Sequence, residues 1–292
     1  MNTIVLEGGL GNRMRVAAAA YTMTQLTGVS CRVLWTRQWG MHCRFEDLFQ
    51  PFYNGEKIDS RESLFSLRDA KGFEQLLFAR AKATNLWLPR LFQHLCYHHI
   101  ILSPQIYYLQ RDGFDFPSWF RQDGGLMMAY RDFCKWDDSL LPRLFRPLHS
   151  IEQEVQTRTS TFTSHTIGLH IRRTDNQESI DASPNELFFE VVDRQLEQFA
   201  DLHVYLATDD EPTKELFRRR YGTKRIQTAP LQATRNSVAG IREALIEMLL
   251  LARTSHVYGS AGSTFSEMAV KLVNTTDPNK YSPIPLTILN KN

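Results

Sequence analysis

Cysteine is scarce. The 292-residue chain has four, Cys31, Cys43, Cys96 and Cys134, with no Cys-x-x-Cys pair and no Cys/His spacing suited to zinc. That excludes a disulfide scaffold and a structural zinc module, and favours a reducing cytoplasm. Charge of one sign is missing too. Lys+Arg number 34 against 32 Asp+Glu, a formal net charge of +2, with the signs mixed along the chain, so a general nucleic-acid or polyanion binder is excluded and any anion site must be local. No stretch reaches the roughly 18 uncharged apolar residues of a transmembrane helix. The most apolar window, residues 86–109, contains Pro89, Arg90, Pro104 and three histidines. Its spacing and prolines predict a buried helical hairpin, with peripheral contact at the inner face of a membrane as the alternative. Met1 runs through Thr3–Leu6 into Glu7 before any signal-peptide apolar region develops, so the N-terminus reads as that of a mature chain.

What is present suffices for two cores: the chain is 42% hydrophobic, and at this length two domains are expected, residues 1–150 and 151–292. The N-terminal region reads as strand (Thr3–Leu6), glycine turn, helix (Asn12–Thr27) and strand (Cys31–Trp35), a βαβ unit. From about Arg44 to His149, proline-broken aromatic and basic segments predict mostly helices. From Thr166 strands and helices alternate: strands at Ile167–Ile171, His203–Ala207, Arg225–Thr228 and His256–Gly259, helices at Asn185–Phe199, Pro212–Tyr221, Ser237–Ala252 and Phe265–Val273. Such alternation means a parallel sheet covered on both faces, which binds ligands beyond the carboxyl ends of its strands.

The residues at those ends carry the chemistry. His170-Ile171-Arg172-Arg173-Thr174-Asp175 follows the first of these strands. His170 and Arg172 project opposite to Ile167, Leu169 and Ile171, and two guanidiniums at one loop can clamp a diphosphate. A surface Arg pair balanced by Asp175 is the plainer reading. Asp209 and Asp210 follow the second strand; Asp210 suits a helix N-cap, and Asp209 can orient one of the arginines. Ser263, Thr264, Phe265 and Ser266 open the helix after Gly259, in the manner of a phosphate-binding helix start or a plain capped turn. Glu247 lies within the apolar run Leu245–Leu250 and should be buried, so it needs a partner: a guanine edge with adjacent N–H donors, or Arg242 or Arg253.

Gly8-Gly9-Leu10-Gly11-Asn12-Arg13-Met14 also joins a strand to a helix. It fails as a dinucleotide fingerprint, because Met14 occupies the third-glycine position and no acidic residue follows Trp35, and it lacks the Lys-Ser/Thr ending of a P-loop. Gly9, Gly11 and Asn12 can still admit a sugar or phosphate close to the backbone.

Three blocks, His170–Asp175, Val204–Asp210 and Ser263–Ser266, resemble in order the motifs of GDP-fucose-dependent fucosyltransferases: the α-1,6 and nodulation-factor enzymes and, more distantly, the protein O-fucosyltransferases. Gly8–Met14 is similar to the N-terminal glycine motif of the α-1,2 branch. About residues 40–150 have no clear match. The resemblance implies a GT-B fold, two Rossmann-like domains facing across a cleft with the donor in the C-terminal one, inversion at the fucose anomeric carbon, and neither metal nor cofactor, GDP-fucose being a substrate. It further implies Arg172 at the β-phosphate, His170 and Glu247 near the guanosine, and Ser263, Thr264 and Phe265 closing the phosphate end. At the position of Glu247 the family commonly has Asp; where the α-1,6 group has a catalytic acid, this chain has Ile180.

Inverting transfer needs a base on the acceptor hydroxyl and neutralisation of the charge growing on the leaving diphosphate. No Asp-x-Asp pattern is present to hold a metal for the second task, so Arg172, Arg173 and the helix start at Ser263–Ser266 are expected to do it. Glu178 and Glu7 are the leading candidates for the base, with Asp175 and Asp181 behind them. The expected partners are a nucleotide-sugar donor and an oligosaccharide or glycolipid acceptor. A non-catalytic GDP-sugar-binding protein on the same fold is the alternative.

Overall fold

The computed structural model describes residues 1–38, 40–52, 62–78, 87–174, 177–230, 233–273, 275 and 278–291. The chain forms two α/β units, Met1–Leu148 with Arg235–Ile241, and His149–Thr234 with Arg242–Asn292.

The first unit contains β1 (Asn2–Leu6), α1 (Leu10–Thr27), β2 (Cys31–Trp35), β3 (Phe65–Asp69), α2 (Phe73–Phe78), α3 (Trp87–Cys96), β4 (His99–Ile101), α4 (Ser103–Arg111), α5 (Phe116–Arg121), β5 (Gly125–Ala129) and α6 (Leu140–Leu144). Its parallel sheet has the order β3-β2-β1-β5-β4. Alanine-rich α1 propagates well and stops at Gly28, whose left-handed φ of 68° lets its N–H reach Thr24 O. Val5, Leu34, Leu126 and Met128 pack with Leu77 and Phe78 of α2 in one core cluster.

The second unit contains α7 (His149–Thr159), β6 (Thr166–Ile171), α8 (Gln177–Ala182), α9 (Asn185–Gln198), β7 (His203–Thr208), α10 (Glu211–Tyr221), β8 (Ile226–Thr228), α11 (Val238–Leu251, whose first turn to Ile241 belongs to the first unit), β9 (Val257–Ser260), α12 (Thr264–Ala269) and β10 (Leu286–Leu289). Its parallel sheet runs β10-β9-β6-β7-β8. Ile167, Leu169 and Ile171 interleave with Val204, Leu206 and the α9 and α10 residues Phe188, Val192 and Phe217. Two Rossmann-like α/β units are thus present.

Three expectations need correction. Among the described residues 44–149 helices do predominate, but three strands that were not expected, β3, β4 and β5, lie between them and complete the first sheet. Residues 86–109 are not a buried hairpin, because β4 separates α3 from α4 and pairs with β5. Pro89 and Pro104 lie in first turns, where proline starts a helix instead of breaking it. Finally, α12 ends at Ala269, short of the expected Val273, and an unexpected strand, β10, joins β9.

Candidate functional site

In the second sheet the chain moves outward from β6 through β7 to β8, then returns to place β9 on the other side of β6. Between β6 and β9 the direction of winding reverses, and the crevice beyond such a pair is the usual ligand position in an open α/β sheet. The His170–Thr174 segment and the Ser260–Ser266 segment end there.

His170 anchors this crevice. Its Nδ1 lies 2.7 Å from Ser266 Oγ and 3.2 Å from Ser263 Oγ, and its ring stacks on Phe265 with centroids 4.6 Å apart and planes at 24°. Ser263 and Ser266 are fully buried. Their hydroxyls are therefore turned inward to fix the imidazole, and Ser263 makes no side-chain cap for α12. In this structure Ser263 and Ser266, expected at the phosphate end, contact His170; Thr264, at the first position of α12, is half-buried. The inward packing needs Gly259. A Cβ there would meet Ser266 Oγ and stand 2.8 Å from Ser266 Cβ. Gly259→Ala is accordingly expected to lower stability by about 1–3 kcal/mol in denaturant unfolding, as overpacking does. Unchanged stability would mean that Ser266 can move without cost.

The two arginines differ in use. Arg172 is half-buried, and its backbone N–H donates to Ser260 Oγ at 3.1 Å. Arg173 is committed to the loop: its guanidinium donates to Asn185 Oδ1, to Ser183 O at 2.9 Å and to Arg172 O at 2.7 Å. Burial pulls its pKa below the usual arginine value, against the opposing charges of Asp209, Asp210 and Glu186. With these bonds to protein oxygens Arg173 holds the loop in place, whereas it was expected to share the diphosphate. Asp209 belongs to the same frame, accepting from the N–H of Arg173 at 2.8 Å and of Thr174 at 3.3 Å. It therefore fixes the loop from which Arg172 projects. Asp210 caps α10, accepting from Thr213 N–H at 2.9 Å.

Glu247, on α11, is 4% exposed, and its Oε1 has no hydrogen-bond partner. Burial, reinforced by the neighbouring charge of Glu243, pushes its carboxyl up to about 8, with Lys214 and Arg158 opposing. Neither arginine weighed as its partner takes that role, since Arg242 donates to Ser150 Oγ and Arg253 to Glu152 Oε1 and Leu249 O. Arg158 is paired with Glu243. Beside them the hydroxyl of buried Tyr205 also lacks a partner. A buried orphan acceptor is costly and in native proteins usually awaits a ligand or water.

In the first unit, Glu7 follows β1 and receives the Ser103 hydroxyl on Oε2. Gly8 takes a φ of 77° and leaves no room for a Cβ above Asn12 Nδ2 and Tyr130. Gly9 caps α1, with Arg235 Cζ 4.0 Å from the place of its absent Cβ. Gly11 is buried, and Asn12 Oδ1 is buried without a hydrogen-bond partner. Arg13 is fully buried, donating from Nε to Gly8 O, with its guanidinium 4.7 Å from the Trp35 ring centroid. Burial lowers its pKa to about 9, against the raising charges of Glu7 and Asp69. Glu178 is exposed on α8, and Asp181 accepts from Gln177 at 2.8 Å; Asp175 lies outside the described residues. Of the tryptophans between residues 40 and 150, Trp119 is core, Trp136 half-buried and Trp87 exposed.

Sequence reasoning missed Ser103, Ser183, Asn185 and Ser260, small polar residues whose roles appear only when distant segments meet. No protein-family model and no curated protein sequence matches the chain. Solved structures do. The NodZ alpha-1,6-fucosyltransferase soaked with GDP-fucose aligns with a TM-score of 0.61 at 17% identity, covering 98% of this chain and 99% of its own. NodZ from Bradyrhizobium aligns at 0.60 and 17%, over 93% and 92%, and POFUT1 in complex with GDP at 0.56 and 10%, over 99% and 98%. Over almost its entire length the chain therefore has the fold of the NodZ and POFUT1 fucosyltransferases.

Proposed function

We propose that the chain transfers fucose from GDP-fucose to a glycan acceptor, with inversion at the anomeric carbon and without a metal. The observation that carries the reading is the pairing, in one unit, of a fixed Arg172–His170 loop at the β6/β9 switch point with the buried orphan carboxylate of Glu247. A diphosphate needs the first and a guanine edge matches the second. The NodZ structure soaked with GDP-fucose and the POFUT1 complex with GDP, which share this fold, support that choice of donor.

In this reaction the acceptor oxygen forms a bond to fucose C1 on the face opposite GDP while the bond from C1 to the β-phosphate oxygen breaks. Arg172 neutralises charge on the departing GDP, acting where charge develops. His170, locked by Ser266 and Phe265, borders the nucleoside. Glu7 and Glu178 are the candidates for the base: Ser103 donates to the carboxylate of Glu7, and Glu178 is a solvated acid on α8.

Turnover is tested by GDP release from GDP-fucose across a glycan acceptor panel, with NMR assignment of the new linkage. Equal rates with EDTA and with added Mg²⁺ are expected, together with a product of inverted configuration. Activity lost on chelation and restored by Mn²⁺ would overturn the metal-free mechanism; GDP binding with no transfer to any acceptor would favour the binding-protein alternative.

A further inference from the structure

Helix α3 is turned inside out. Its one buried side chain is the polar Gln93, 6% exposed and donating to Leu77 O at 3.1 Å. Trp87, Leu88, Leu91, Phe92 and Leu95 are all exposed, Trp87 at 58% and Leu95 at 72%. At about 100° per residue these five span an arc of about 140° opposite Gln93. The neighbouring α2 extends the surface with Phe73 and Leu76, the latter 74% exposed, and Phe73 meets Phe92 edge to face at 5.6 Å. A contiguous outward apolar face of this kind marks a surface built to be covered.

The charges around it indicate by what. On the wheel Arg90 and His94 flank the arc on one side, and both are exposed, as is Lys71 ahead of α2. No acidic residue occurs in α3, and Glu74 of α2 is held by Arg68 and Arg32. An apolar helix face of Trp, Phe and Leu with Arg90 on its flank and Lys71 near it suits an anionic bilayer surface, with Trp87 on the Arg90 side where an amphipathic ring prefers the headgroup level. A second copy, which would lay the same patch on itself about a two-fold axis, is the competing occupant, and the test below separates it from a bilayer. Among the described residues no helix is long and apolar enough to cross a membrane, so the contact would be peripheral.

We propose that the α2–α3 face docks the protein on a lipid bilayer carrying anionic headgroups. The surface is separate from the residues assigned to fucose transfer, so its test is independent of that reaction. The full chain is floated with phosphatidylcholine vesicles with and without phosphatidylglycerol, with sedimentation velocity run in parallel. Wild type should rise with the anionic vesicles. The double variant Leu91→Ser/Leu95→Ser should lose at least about tenfold in partitioning while keeping its unfolding temperature, because both side chains already face water. Arg90→Glu should weaken flotation on the anionic vesicles alone. Wild-type chain remaining in the dense fraction would overturn the proposal, as would undiminished flotation of the double variant. A dimer dispersed by the double variant, with no flotation, would make the occupant a second copy and overturn it equally.

Discussion

Arg172→Ala should reduce kcat/KM for GDP-fucose by roughly 30- to 1,000-fold, about 2–4 kcal/mol of transition-state stabilisation, and leave the unfolding temperature near that of wild type. The expectation rests on the place of Arg172 at the β6/β9 switch point, where its backbone N–H is held by Ser260 Oγ. Arg173 donates to Asn185, Ser183 O and Arg172 O, so Arg173→Ala should lower stability as well as activity by leaving buried carbonyls unmatched. Arg172→Lys should recover little, because an ammonium cannot reproduce the planar fork that grips two phosphate oxygens. Near-normal turnover in Arg172→Ala, measured with the fold intact, would move the phosphate contact to another residue.

The contrast also shows what the sequence could and could not say. Strand and helix periodicities were legible wherever β-branched and aliphatic residues alternate with polar ones, as in Thr166–Ile171 and His203–Thr208. They were not legible in Gly125–Ala129, where Gly-Leu-Met-Met-Ala has little intrinsic β preference and is a strand only because β1 and β4 flank it. Phe65–Asp69 and His99–Ile101 are short, and each is held by a neighbour distant in sequence. The exposed apolar stripe of α3 defeated the sequence reading for a different reason: periodicity reveals that a helix has an apolar face, not whether the protein itself covers it.

At the site, residue types and strand-end positions could be read, but side-chain direction could not. Arg173 reads in one dimension only as the second of two arginines, and its bonds to Ser183 and Asn185 appear only when the turn into α9 brings those residues in. Ser263 and Ser266 look like phosphate hydroxyls until Gly259 lets them close on His170. The burial of Glu247 was legible because an acid amid five large apolar residues has no route to water. Its lack of an arginine partner was not, since Arg242 and Arg253 stand near it in sequence and bond elsewhere.

Glu247→Gln should therefore act in opposite directions on stability and on ligand choice. The folded carboxyl holds its proton to about 8, against an ordinary value of 4.5. Between those values the folded state binds more protons than the unfolded state, so the group's contribution to stability falls as pH rises through the window and levels off above about 8. Removing the charge should stabilise the ligand-free protein by about 1–3 kcal/mol at pH 8.5 and change it little at pH 4.5. Binding should move the other way. An ionised carboxylate offers two acceptors to the adjacent N–H donors of guanine, whereas adenine presents an acceptor there; a glutamine turns a donor toward them. Because GDP and ADP carry the same diphosphate, the ratio of their affinities isolates the base. In wild type that ratio should rise by up to about tenfold per pH unit from 6 to 8 and then flatten, following ionisation of Glu247. In Glu247→Gln it should be lower and independent of pH, while Arg253→Gln should leave the wild-type profile in place. The same GDP/ADP ratio in Glu247→Gln and wild type at pH 8, with both folded, would show that this carboxylate serves the packing of α11 and not the reading of guanine.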